Sequence, residues 1–137
     1  MERERVEHPS WYIREGIECM VIVRNFCFTI GNSIKYLWRA GSKPEEGMTM
    51  EEKSKEDIRK AKYYLERWLE YPTDATCKLD ISHYDMCAEF AKIKPSGNVA
   101  QCLHDLVELG TFPYISRSDM SKLIRGCIDM LNKEING

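Results

Sequence analysis

Residues 49–72 restrict the fold more than any other stretch of this chain. Thr49-Met50-Glu51-Glu52 is a capping box, in which a hydroxyl and a glutamate three residues on satisfy each other's backbone donors at a helix start. Ile58, Ala61, Leu65, Trp68 and Leu69 then recur at helical spacing, and Pro72 closes the run. The pattern predicts a long helix reaching about Tyr71. Lys53, Asp57, Lys60, Tyr64 and Arg67 repeat with the same period and form a second, polar stripe. A helix patterned this way must have its apolar stripe covered by other elements.

The element before it carries an unusual charge distribution. From Cys19 to Pro44 there is no acidic residue, while Arg24, Lys35, Arg39 and Lys43 are all present. A helix over Thr29 to Gly41, capped by Thr29 and ended by Gly41, places Ile30, Ile34, Leu37 and Gly41 on one face with Trp38 at its margin. Asn32, Lys35, Tyr36 and Arg39 fall opposite, with Lys43 just beyond. Such a face is either a plain solvated surface or a place where cations hold a phosphate and an aromatic stacks a base. On the second alternative Asn32 lies in the first turn, where the helix dipole favours an anion, and Arg39 points away from the core. Tyr36, Trp38 and Tyr64 are either core residues or stacking platforms.

The remaining segments extend the helical pattern. His8 and Tyr12 belong to an extended arm around Pro9, and Gly16 to Val23 has the character of a short buried helix with Glu18 at its start. A connector, 72–80, leads to amphipathic stretches at Ser82–Lys92 and Val99–Leu109, and to a last helix over Ser116–Asn136 capped by Ser118. Met120, Leu123, Ile124, Cys127, Ile128 and Leu131 make the core face of that helix. No segment alternates as a strand does. The expected fold is therefore all-α: a compact helical N-terminal domain, residues 1–71, with a long third helix, plus a helical C-terminal extension, residues 72–137.

Composition narrows the function classes. Hydrophobic residues make up 43% of the chain and its net charge is -2, and neither half carries a basic surplus, so stable nucleic-acid binding is not expected. No apolar run has the length of a membrane span, and the charged first residues lack a secretory centre, which predicts a cytoplasmic protein without a membrane partner. The six cysteines sit mostly among apolar residues, as small buried hydrophobes do. A zinc site from Cys77, His83, Cys87, Cys102 and His104 matches no regular ligand spacing.

Four strings carry a resemblance. They are His8-Pro9-Ser10-x-Tyr12, Gly16-Ile17-Glu18, the run Gly31-Asn32-Ser33-Ile34-Lys35-Tyr36-Leu37-Trp38-Arg39-Ala40-Gly41-x-Lys43, and Glu56-Asp57-Ile58-Arg59-Lys60-Ala61-x-Tyr63-Tyr64-Leu65-x-Arg67. Over residues 7–70 the chain resembles a family of small phage proteins labelled nucleotide kinase. That resemblance implies phosphoryl transfer from ATP to a (deoxy)nucleoside monophosphate with Mg²⁺, in the cytoplasm of an infected bacterial host. Ser42 stands where members of that family commonly have a second basic residue. There is no G-x-x-x-x-G-K-[ST] loop, so the transfer would rest on Lys35, Arg39 and Lys43, with Arg24 or Lys60, and on Asp57, Glu56 or Glu18 as metal-side carboxylates. His8 and Tyr12 would close on the nucleotide or on a neighbouring subunit, and Tyr36, Tyr64 or Trp38 would stack its base. A reading without catalysis uses the same cations and aromatics: a sponge that sequesters nucleotide second messengers of bacterial immunity. A third is a helical interaction module whose C-terminal region drives assembly into a homo-oligomer, with no nucleotide affinity.

Overall fold

A computed structural model describes residues 12–14, 16–76, 80–93 and 95–137. The expected roles of His8 and Cys77 lie outside these residues. In chain order the elements are β1 (Ile13–Arg14), β2 (Ile17–Glu18), α1 (Cys19–Val23), α2 (Phe28–Arg39), α3 (Met50–Glu70), α4 (Ile81–Ala91), α5 (Gly97–Glu108), a 3-10 turn (Leu109–Thr111) and α6 (Arg117–Asn136). Among the described residues the protein is all-α apart from the β1–β2 hairpin and a lone antiparallel bridge between Phe26 and Thr76. No helix among the described residues is long and apolar enough to cross a membrane.

The long third helix follows from its sequence. The Thr49 hydroxyl accepts from the Glu52 backbone N–H at 3.1 Å, and Ile58, Ala61, Leu65 and Trp68 are buried. The N-terminal helix signals did less well. Residues 16–18 are turn and strand, not helix: Ile13 pairs with Glu18 and Arg14 with Ile17, across Gly16 at φ +76°, a conformation that favours glycine. Two-residue strands are too short to show alternation. Helix α2 begins one residue before Thr29, with Cys27 in the capping position and no side-chain capping bond. In α6 the cap is Ser116, whose Oγ accepts from the Asp119 N–H at 3.1 Å, not Ser118.

The core is one hydrophobic cluster. It joins Ile22, Ile30, Ile34, Leu37 and Trp38 to Ala61, Leu65 and Trp68, and these to Phe90, Leu103, Leu106, Ile124 and Leu131. α2 lies against α3, α3 against α6, and α5 against both α6 and α2. Ser33 Oγ reaches the Ala61 carbonyl oxygen at 3.0 Å, so the α2–α3 contact carries a buried polar link as well as apolar packing. Trp38, expected at the margin of its face, is buried and stacks on Phe90 with ring centroids 4.9 Å apart. Gly41, at φ +81°, is exposed and ends the helix instead of lining the core.

Candidate functional site

The expectation that Arg39 points to solvent is overturned: it is 6% exposed. α2 ends beside the first half of α3, which turns Arg39 onto Asp57, a residue with no exposure at all. Arg39 Nε donates to Asp57 Oδ1 at 3.2 Å, and Nη2 lies 3.1 Å from the same oxygen. Lys53 Nζ approaches that oxygen at 3.4 Å, and also Glu56 at 3.1 Å and Glu45 at 3.6 Å. Arg39 Nη1 donates to the Tyr12 hydroxyl at 3.3 Å. Burial opposes the charge on Arg39, yet the Tyr12 bond and Asp57 raise its pKa above the ordinary value. Burial likewise opposes the charge on Lys53, and the Glu56 bond and Asp57 outweigh it. Asp57 Oδ2 is buried without a partner. With two cations converging on its other oxygen, this carboxylate does not fit Mg²⁺: a divalent ion would have to compete with Arg39 and Lys53. The polar stripe expected on α3 is thus buried over its first half.

Outside this ionic cluster lies the ring of Tyr36. Lys35 Nζ, Arg39 Cζ and Lys60 Nζ stand 4.7, 4.5 and 5.4 Å from its centroid, within the range of a cation–π contact. Tyr64 of α3 stacks on Tyr36 with centroids 6.0 Å apart and planes 8° from parallel. Lys60 also holds Glu56 Oε1 at 2.9 Å. Lys60 first, and then Lys53, keep that carboxyl ionised down to a pKa of about 2.

The aromatic surface continues past Tyr64. Phe28 meets Tyr64 edge-on at 5.9 Å, and Tyr63 does so from its own side at 5.3 Å. The Arg67 guanidinium covers Tyr63 at 4.8 Å. Phe28 is 75% exposed and Tyr63 50%. The sequence pattern did not single out Phe28. The available signal was spacing, since Phe28, Asn32 and Lys35 lie at i, i+4 and i+7 on one helical face.

The structure therefore gathers Asn32, Lys35, Tyr36, Arg39, Lys60 and Tyr64 on the α2–α3 hairpin, with Tyr12 joined through Arg39. Asn32 lies in the second turn of α2, and its Nδ2 donates back to the Phe28 carbonyl at 2.9 Å, so the first-turn argument for it fails. Arg24 stands apart, 3.5 Å from His83 Nε2 on α4. Lys43 is half-buried in the loop after α2, its N–H bonded to the Arg39 carbonyl at 3.1 Å. Glu18 closes β2 and precedes α1 without a side-chain capping bond. The zinc set is not assembled among the described residues: Cys87 and Cys102 are buried, and Cys102 Sγ donates to the Cys127 carbonyl at 3.4 Å. The one cluster of metal-ligand atoms among them is His104, Asp105 and Glu108 on α5.

Residues 6–66 match a family model described as a protein of unknown function, DUF3310. That finding corrects the kinase resemblance, because nothing in the match names a nucleotide kinase. The strings behind the resemblance have a structural use: Ile34, Leu37, Ala61 and Leu65 fill the core, and Arg39 and Asp57 pair inside it. No curated protein and no solved structure matches the chain significantly.

Proposed function

We propose that this chain is a non-catalytic protein that binds a phosphorylated nucleotide on the outer face of the α2–α3 hairpin and sequesters it. One observation carries the reading: Lys35 and Lys60 lie over a tyrosine ring that is itself stacked on a second ring, Tyr64, in a surface that continues to the exposed rings of Phe28 and Tyr63. The cations offer a phosphate its counter-charge, and the exposed rings of Phe28 and Tyr63 offer a base its stacking surface. The buried cluster explains how Lys60 is freed for a ligand, since Glu56 keeps Lys53 as a partner when Lys60 turns outward. Arg39 acts in this reading as a positioning residue, because its guanidinium is committed to Asp57 and Tyr12.

Calorimetry with nucleoside mono- and triphosphates tests the proposal. The expected result is binding that weakens with salt, falls at least roughly tenfold when Lys35 and Lys60 are both changed to alanine, and returns the ligand chemically intact. Absence of heat with every nucleotide overturns it. A second reading, an oligomeric interaction module, is favoured by the exposed apolar side chains of Met20, Phe28 and Ile81. It predicts self-association in sedimentation and no nucleotide affinity.

A further inference from the structure

Two rings on the hairpin surface are more exposed than a single stacked base requires. Phe28 and Tyr63 each contact Tyr64 edge-on, from opposite elements of the hairpin, at 5.9 and 5.3 Å. Phe28 projects from the first residue of α2 and Tyr63 from the middle of α3. One base stacks at about 3.4 Å on one ring and leaves the other in water. Cations accompany both ends of the row. Lys35 and Lys60 lie beside Tyr36, and Arg67 lies over Tyr63. Arg67 Nε is buried and pairs with Glu70 at 3.1 Å, so this guanidinium is a fixed positive edge of the row and not a donor to the phosphate.

We infer that the ligand of this face carries two bases joined by a phosphodiester, one base on Phe28 and the other on Tyr63, with the bridging phosphate drawn to Lys35 and Lys60. The inference rests on the nucleotide-binding reading above and adds the size of the ligand to it. A mononucleotide occupies half of the row. A two-base ligand, linear or cyclic, fills both platforms and brings its bridging charge to the cations. A long single strand gains little beyond its first two bases, because the chain, at net charge -2, carries no basic surplus to follow a backbone further.

Calorimetric titrations should compare adenine and guanine mononucleotides with the matching linear and cyclic dinucleotides and with a twelve-residue oligodeoxyadenylate. The dinucleotides are expected to bind on the order of tenfold more tightly than the mononucleotides. The linear and cyclic forms, titrated separately, identify which source of the two-base ligand fits. Phe28→Ala, at an exposed position that leaves folding intact, is expected to remove that advantage, so that the dinucleotides bind no more tightly than the mononucleotides. Equal affinity for one- and two-base ligands overturns the inference and leaves the nucleotide-binding reading standing. So does an unchanged dinucleotide affinity in Phe28→Ala. A further tenfold gain with the oligodeoxyadenylate overturns it in favour of a strand-binding surface. No binding by any of these ligands overturns both.

Discussion

Arg39 and Asp57 show how much of this protein is decided by single buried charges. An ion pair taken out of water is stabilising only when both members are present, and removing one leaves a charge that nothing solvates. Arg39→Ala should therefore destabilise the fold by about 3 kcal/mol, the lower end of the usual cost because Lys53 still faces Asp57. Urea denaturation measures this, and a variant as stable as the parent would refute the buried-pair assignment. Glu56 gives a pH test at the same scale. Its carboxyl pKa is lowered to about 2 in the folded protein against an ordinary 4.5, by Lys60 first and then Lys53, so the folded form favours the anion. The resulting stability is present above about 4.5 and lost as pH falls towards 2. In Glu56→Gln the acid limb of the stability profile should flatten across that window, followed by thermal unfolding at stepped pH. These charges were visible in the sequence, but their placement was not. Periodicity sorts residues by face and treats a cation as an outward residue, whereas Arg39 is buried because a carboxylate eighteen positions later meets it from α3.

At the scale of elements, the ends of helices separate what local sequence determines from what it leaves open. The Thr49 cap and the α3 stripe were legible because both signals are contained within a few consecutive residues. The α6 cap was misplaced by two positions, because Ser116 and Ser118 are equally good capping residues and only the entering chain direction selects between them. This yields a paired prediction. Ser116→Ala should lower stability by about 1 kcal/mol, and Ser118→Ala should stay within about 0.5 kcal/mol of the parent. Differential scanning calorimetry on the two variants checks it, and the reverse order would mean that the helix starts later. The β1–β2 hairpin escaped the sequence for a related reason. Arg14 Nη2 donates to the Trp38 carbonyl at 2.9 Å, so part of what holds that hairpin is a tertiary bond to the end of α2. The same holds for the candidate site. Tyr36 and Lys60 come from elements that meet only after folding, and the row through Phe28 and Tyr63 exists only once α2 and α3 are paired.

Across the whole molecule, the question is whether residues 1–71 can hold their shape without the rest. The apolar stripe of α3 is covered on one side by α2, and on another by α6. Trp38 of α2 is covered by Phe90 of α4, 4.9 Å away, and Ile124, Cys127 and Leu131 of α6 belong to the same cluster as Leu65 and Trp68. Arg117 Nη1 also donates to the Pro72 carbonyl at 3.0 Å, tying the start of α6 to the end of α3. A fragment ending at Tyr71 would keep the α2–α3 pairing and the Arg39–Asp57 pair. It would expose Trp38 and a flank of α3 to water, and burying a side chain of that class contributes on the order of 2 kcal/mol. Short helices stripped of tertiary packing are marginal in water. The fragment 1–71 should therefore retain helical circular dichroism but melt without a cooperative transition, and its amide protons should exchange within the dead time of the measurement. Because the proposed nucleotide face depends on α2 and α3 being held rigidly together, the fragment should also bind nucleotide at least roughly tenfold more weakly than the full chain. A sharp, reversible melt of 1–71 with undiminished affinity would instead establish it as a domain that folds alone, and would reduce residues 72–137 to an appendage.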